Sequence, residues 1–88
     1  MGNLMSSEIH IGPPRLTIYE IARILAIRAA QLSAGAPPLI PVHQGMSIAD
    51  IAREELRRRI IPIVVIRVRP DGRWQAIPLA KLEIMEDI

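Results

Sequence analysis

The sequence contains no cysteine and very few aromatic residues, and these absences exclude several kinds of protein. Without cysteine, neither disulfides nor thiolate metal sites can form. Tyr19 and Trp74 are the only aromatic residues, so the core must be built from Ile, Leu, Val and Ala, and no platform for stacking nucleic-acid bases is available. A small apolar domain of 88 residues without disulfides often gains stability from a partner.

Long hydrophobic runs and a strong net charge are also missing. No stretch approaches the roughly 18 consecutive apolar residues of a membrane span, and the N-terminus lacks a basic region followed by an apolar run, so no secretory signal is expected. We therefore expect a cytoplasmic protein with no membrane contact. The formal net charge is only +2, which argues weakly against strong non-specific binding to nucleic acid.

The residue types and spacings of an enzyme site are not present. His10 and His43 have no ligand partner three or four positions away, and the sequence has neither a P-loop nor a G-x-S-x-G turn. Glu54 and Glu55 are adjacent, but neighbouring helical side chains diverge by about 100° and do not form an acid/base pair. The sequence thus predicts no catalytic residue, metal, cofactor or small-molecule substrate.

The first predicted helix begins at a T-x-x-E capping box, formed by Thr17 and Glu20. It is expected to run from about Ile18 to Ala34 and to end at Gly35, where a left-handed C-cap is favoured. Helical spacing predicts a core stripe of Ile18, Ile21, Ala22, Leu25, Ala29 and Leu32.

Two further apolar residues of this helix, Ile24 and Ile27, fall among polar side chains outside the stripe. They are either scattered exposed residues, which are normal, or a second apolar patch for a partner protein. The residue pattern leaves both readings open.

The rest of the chain predicts a second helix followed by a β-hairpin. Ser47 caps the second helix, which runs to about Arg59 and is expected to carry two i,i+4 ion pairs, Glu54 with Arg58 and Glu55 with Arg59. The two strands, residues 60–68 and 73–77, flank the turn Pro70-Asp71-Gly72. Residues 1–14 predict a flexible tail, so the fold class is α+β, with a single small domain spanning residues 15–88.

The order of these segments resembles the RNA polymerase subunit K / omega family. Around the first helix, the family's signature matches Thr17, Tyr19, Glu20, Ala22, Arg23, Arg28 and Ala29, followed by Gly35, Ala36 and Pro37. Later segments match Ile51, Ala52, Glu55 and Leu56, then Ile61, Pro62 and Ile63, and finally the Pro-Asp-Gly turn. The sequence departs from the family's pattern at Ile18, Ile21, Ile66 and Val68, and it lacks the acidic extension of the eukaryotic relatives, which favours the archaeal branch.

The resemblance implies an omega-like fold and a non-catalytic scaffold role. The family's subunit packs on the C-terminal part of the largest polymerase subunit and promotes assembly, while the active site of the nucleotidyltransferase lies in other subunits and no sequence-specific DNA contact is expected. The candidate partner-contact residues are Tyr19, Glu20, Arg23, Ile24, Ile27, Arg28, Gln31, Gly35, Ala36, Pro37, Pro62 and Arg67. The alternative is a stand-alone nucleic-acid-binding regulator that uses Arg57, Arg58, Arg59, Arg67, Arg69 and Arg73.

Overall fold

The computed structural model of the chain describes residues 3–4 and 8–84, which form two helices and a small sheet. Helix α1 spans Ile18–Ser33 and helix α2 spans Ile48–Arg57; the strands are β1 (Asn3–Leu4), β2 (Val64–Val68) and β3 (Trp74–Pro78), and a 3-10 turn covers Leu79–Lys81. The predicted α+β class, with two helices followed by a hairpin, is confirmed. Residues 85–88 lie outside the described part of the chain.

Both ends of α1 follow from local sequence. The Thr17 hydroxyl accepts a bond from the Glu20 amide, and the Glu20 carboxylate accepts one from the Thr17 amide at 2.9 Å, so the predicted capping box is present. At the other end, Gly35 has a φ of 104°. Its amide donates to Leu32 and the Ala36 amide donates to Gln31, which is the Schellman arrangement that ends a helix and starts the connector.

Strands β2 and β3 pair in an antiparallel register that places Arg67 opposite Gln75 and Val65 opposite Ile77. Strand β1 pairs in parallel with β3, so the order across the sheet is β1-β3-β2. Among the described residues, β2 is therefore an edge strand with one unpaired side. Residues 60–63, predicted to begin this strand, are not part of it. Helix α2 ends at Arg57, then Arg58 and Arg59 form a turn, and residues 60–63 lead into the sheet.

The core lies between α1 and the inner face of the sheet. Its main cluster contains buried aliphatic side chains from every element around it: Leu16, Ile24, Leu56, Ile61, Val65, Ile77, Leu79 and Leu82. A second cluster joins the end of α1 to α2 through Leu32, Ile51 and Ala52, together with Ile40 of the connector.

The buried stripe of α1 is rotated relative to the predicted one. Ile18 is 67% exposed and Ala22 is also exposed, so placing them in the core was wrong. Ile24, predicted to face a partner, is only 5% exposed and belongs to the main cluster. The reason is that an arginine, Arg28, occupies the next inward turn of the helix, and a pattern of apolar residues alone does not predict a buried arginine.

The described part of the N-terminal segment lies against the sheet. Ile11 is buried, and the amides of His10 and Ile11 donate to the side-chain oxygen of Gln75 at 2.9 and 3.1 Å. The Gln75 amide group in turn donates to the Glu8 carbonyl. Residues 8–14 are thus held by the domain, whereas the boundary after residue 14 and the flexibility of the tail remain predictions.

Candidate protein interface

A buried ion pair between Arg28 and Glu55 joins α1 to α2. The Arg28 guanidinium donates to both carboxylate oxygens of Glu55, with Nη2 lying 3.1 Å from Oε2, and Glu55 is fully buried. Arg28 also donates to the Pro37 carbonyl at 3.1 Å, and the Leu39 amide donates to Glu55 Oε2 at 2.7 Å. One pair of side chains therefore fixes both helices and the connector between them.

The two charges stabilise each other's ionised forms. Burial raises the pKa of the Glu55 carboxyl, but the bonds from Arg28 and from the Leu39 amide more than offset this, so that its pKa lies below the usual value. The same bonds to Glu55 raise the pKa of Arg28. Because Glu55 faces inward, its predicted i,i+4 pair with Arg59 is wrong, whereas the predicted pair of Glu54 with Arg58 is present at 2.9 Å.

A second buried arginine, Arg67 of β2, organises the other end of the domain. Its Nε and Nη2 atoms donate to the two carboxylate oxygens of Glu20, each at 2.9 Å. The remaining N–H groups donate to the carbonyls of Ile11, Pro13 and Arg15, so that all five donors of the guanidinium are used. The bonds from Arg67 lower the pKa of the Glu20 carboxyl. Arg67 therefore ties the sheet to the start of α1 and to the N-terminal segment.

An apolar groove lies on the surface between α1 and β2. It has a volume of about 490 Å³, and its lining comes from one face of α1 and from four successive residues of the chain at β2: Glu20, Arg23, Ile24, Ile27, Ile63, Val64, Val65 and Ile66. No residue of β3 lines it, so the groove runs along the unpaired side of β2. The helical part of this lining coincides with four of the predicted partner-contact residues.

The exposed apolar side chains extend the groove onto the neighbouring surface. On the outer face of the hairpin, Val64, Ile66 and Val68 are 55–66% exposed. On α1, Tyr19 is 88% and Ile27 is 42% exposed. Three of these residues, Ile27, Val64 and Ile66, line the groove, and exposed apolar side chains gathered in this way are typical of a protein-binding site.

The predicted partner-contact residues fall into three groups: exposed, buried and half-buried. Tyr19, Arg23, Ile27, Gln31, Pro37 and Pro62 lie on the surface, as does Gly35 at the exit of α1. By contrast, Ile24, Arg28 and Arg67 are buried and have internal roles, which are core packing for Ile24 and ion pairs within the chain for the two arginines. Contact of any of these residues with a partner stays a prediction. Glu20 and Ala36 are half-buried, with Glu20 serving both as helix cap and as partner of Arg67.

Sequence reasoning missed Gln75, the inward role of Glu55 and the strand residues that line the groove. A signal for Gln75 existed, because the Pro-Asp-Gly turn sets the hairpin register and places two polar residues opposite each other on an inner face that is otherwise apolar. For Glu55 no comparable signal existed, since its contact with Arg28 depends on how the two helices pack.

The arginines of the alternative reading are largely engaged within the chain. Arg57 and Arg58 both bond Glu54, Arg69 and Arg73 flank Asp71, and Arg67 is buried. Within residues 3–4 and 8–84, no helix has the length and apolar character that crossing a membrane requires. The same described residues contain no cluster of three or more His, Cys, Asp or Glu side chains arranged to hold a metal ion.

Comparison with known proteins decides the family. The RNA polymerase Rpb6 family matches residues 11–63, which is more than half of the chain. The chain belongs to the RNA polymerase Rpb6 family. The match covers α1, the connector, α2 and the lead into β2, and it therefore includes the helical side of the groove and Ile63.

Relatives of this family member include archaeal and eukaryotic polymerase subunits. The DNA-directed RNA polymerase subunit Rpo6 of Thermofilum pendens is 48% identical over 75 residues, covering 84% of this chain and 93% of the relative. The Rpo6 subunit of Pyrobaculum aerophilum is 45% identical, over 84% of this chain and 72% of its own length. A probable subunit RPABC2 of RNA polymerases I, II and III from Caenorhabditis elegans is 36% identical, and the match spans 62% of that longer protein.

These identities place the chain with the archaeal small subunits of the family, called Rpo6 or K. It is accordingly a DNA-directed RNA polymerase subunit that functions in transcription, within a multi-subunit complex. The resemblance drawn from the segments around Thr17 and Pro62 is confirmed.

Proposed function

We propose that this subunit is non-catalytic and promotes the assembly and stability of a cytoplasmic archaeal RNA polymerase by clamping the C-terminal region of the largest subunit. The observation that supports this most directly is the apolar groove between α1 and β2 in a member of the Rpb6 family. The nucleotidyl-transfer site would lie in other subunits, and this chain would need neither cofactor nor small-molecule substrate.

The construction of the domain suits a clamp. Two arginine–carboxylate pairs, the buried pair of Arg28 with Glu55 and the partly buried pair of Arg67 with Glu20, hold α1, α2, the connector and the sheet to one another. A surface that is already ordered loses less conformational freedom on binding, so more of the contact energy goes into affinity. Holding a flexible segment of a large subunit also raises the effective concentration of the parts that must still assemble.

The proposal is tested by co-expressing the tagged chain with the largest subunit, either intact or lacking its C-terminal region. We expect the intact subunit to be retained in roughly equal amount and the truncated one to be lost. Retention of the truncated subunit at the level of the intact one would contradict the proposed docking region.

A pair of matched variants tests the groove itself. Ile27→Asp places a charge in the groove, whereas Val42→Asp places the same charge on a connector residue of similar exposure, 48% against 42%. We expect Ile27→Asp to reduce retention strongly and Val42→Asp to leave it near the unaltered level, because a buried unpaired charge is costly. Equal effects of both variants would mean that the groove is not the contact.

A further inference from the structure

The backbone of β2 offers a row of polar groups to the groove. The Arg69 amide bonds the Arg73 carbonyl and the Leu79 amide bonds the Ile63 carbonyl. Because bonded positions alternate in an antiparallel pair, Val65 and Arg67 direct their backbone groups to β3, and Val64, Ile66 and Val68 direct theirs to the unpaired side. Within the described residues, no strand or loop bonds these outward groups.

The other side of the sheet is already occupied. Strand β1 pairs with the outer side of β3, and the segment after it is held by Gln75 and Arg67. Among the described residues, the opposite edge of the sheet is the two-residue strand β1, so β2, next to the groove, is the longer edge open to a strand from another chain.

The chemistry of the groove favours an extended occupant over a helix. A helix satisfies its own backbone groups and would bury the amides and carbonyls of Val64 and Ile66 without partners, at a cost comparable to lost hydrogen bonds. An extended segment bonds those groups directly, as in β-strand addition to a sheet edge. Alternate side chains of such a segment then point toward Ile24 and Ile27 on α1.

The charged residues of the groove place one requirement on the segment that occupies it. Glu20 is already paired with Arg67, whereas Arg23 is exposed and makes no hydrogen bond or ion pair with the described residues. Arg23 is thus available to bind a carboxylate on whatever occupies the groove.

From these observations we infer that β2 receives an extended segment of a polymerase subunit as an added β-strand, with alternating apolar side chains on the groove side and a carboxylate that pairs with Arg23. This inference rests on the proposed function for the identity of the partner, the C-terminal region of the largest subunit. It adds the conformation of the bound segment, the atoms that hold it and the charge it carries.

Proline substitution tests the backbone contact. Ile66→Pro removes one outward amide without removing a bond to β3, and proline is tolerated on edge strands. Ile66→Ala is the matched control, since it shortens the side chain but keeps the amide. In co-expression with the intact largest subunit, we expect retention of the Ile66→Pro chain to fall at least tenfold and that of Ile66→Ala to stay within about twofold. Equal retention of the two variants would overturn the inference.

Hydrogen exchange distinguishes loss of the partner contact in Ile66→Pro from a failure of this variant to fold. The free Ile66→Pro chain should keep the amide protection of β3 seen in the unaltered chain. Independently of any variant, the outward amides of Val64, Ile66 and Val68 in the unaltered chain should exchange at least tenfold more slowly in the assembled polymerase than in the free chain. Equally fast exchange in both forms would overturn strand addition even if Ile66→Pro did not fold.

Reversing the charge of Arg23 tests its proposed pairing with a carboxylate of the bound segment. Arg23→Glu should reduce retention more than Arg23→Gln, and Arg59→Glu, the same reversal outside the groove, should have little effect. Unaltered retention of Arg23→Glu would refute the pairing.

Failure of this inference is distinguishable from failure of the proposed function. If truncation of the largest subunit abolishes retention but Ile66→Pro does not, the clamp proposal stands and strand addition is refuted. If Ile66→Pro abolishes retention but truncation does not, the strand comes from another part of the polymerase, and the proposed docking region is the part that fails.

Discussion

At the scale of single residues, the two buried arginines explain most of what is unusual in this small domain. Each is placed where a regular pattern would put an aliphatic residue. Arg67 donates five hydrogen bonds and Arg28 donates four, all to oxygen atoms of the chain. Burying a charge is costly unless it is paired and hydrogen-bonded, so these residues depend strictly on their partners. Glu55 and Glu20 are therefore expected to contribute far more to the stability of the fold than the acidic residues at its surface.

Glu55→Gln is expected to destabilise the chain by about 3–5 kcal/mol, the range found when one partner of a buried ion pair is removed. The amide would present N–H groups to either Arg28 or the Leu39 amide, both of which are donors. The measurement is the free energy of unfolding of the full chain in denaturant.

The adjacent Glu54 provides the control for this prediction. It also bonds two arginines, Arg57 and Arg58, but it does so at the surface, where ion pairs contribute little. Glu54→Gln should therefore have a much smaller effect than Glu55→Gln. Comparable losses from the two substitutions would show that burial of the Arg28–Glu55 pair does not govern its importance.

At the scale of elements, the two helices end in the same way with different residues. After α1, Gly35 takes the positive φ that the Schellman arrangement requires. After α2, the equivalent position is Arg59, with a φ of 56°, and its amide and that of Ile60 donate to Leu56 and Glu55. An L-residue in this conformation carries a steric penalty that glycine avoids.

Arg59→Gly should accordingly stabilise the chain, by about 0.5–1 kcal/mol, because the relief of the left-handed strain exceeds the extra flexibility of glycine in the unfolded chain. Arg59→Ala separates this effect from loss of the exposed side chain, since alanine keeps the Cβ atom. Thermal unfolding of both variants provides the comparison. A gain in Arg59→Ala equal to that in Arg59→Gly would mean that the charge, rather than the backbone, is responsible.

The element boundaries also show which features of the fold a single sequence can predict. The capping boxes at Thr17 and Ser47, the end of α1 at Gly35 and the turn at Pro70-Asp71-Gly72 depend on neighbouring residues, and all could be read from local patterns. The inward face of α1 could not, because it is set by contact with residues such as Glu55 and Ile77 far along the chain. On the helical side of the groove, the sequence pattern singled out Ile24 and Ile27, of which only Ile27 is exposed, and it indicated none of the strand residues.

At the scale of the whole molecule, the domain is held together by an apolar core with an ion pair of a buried arginine toward each end. Arg28–Glu55 closes the end where the two helices meet the connector, and Arg67–Glu20 closes the end where the N-terminal segment meets the sheet. Both pairs place a carboxylate with a lowered pKa inside the fold. The stability of the entire domain, and of the groove it presents, is therefore linked to pH.

The direction of the two pKa shifts determines how the free energy of unfolding changes with pH. A carboxyl whose pKa is lower in the folded chain binds fewer protons there than in the unfolded chain, so the free energy of unfolding falls as the pH falls. For Glu55 and Glu20 the stabilisation is complete above the ordinary glutamate pKa of 4.5 and is lost as the pH drops through their lower folded values. We expect unfolding free energy to be nearly flat from pH 7 to about pH 5 and to decline steeply below that.

High salt distinguishes the contribution of the two arginine–glutamate pairs to the pH dependence from that of the surface carboxylates Asp50 and Glu54. The pKa values of these surface groups are also lowered by their own hydrogen bonds. In about 1 M salt, where charges farther apart than roughly 3 Å are screened at the surface but much less so in the interior, most of the acid-induced loss should persist. Replacing the pair in Arg28→Met/Glu55→Leu should remove its part of the pH dependence, and it should cost less stability than Glu55→Gln, because no unpaired charge remains. An acid transition that disappears in high salt, or is unchanged in the double variant, would place the controlling carboxylates at the surface instead.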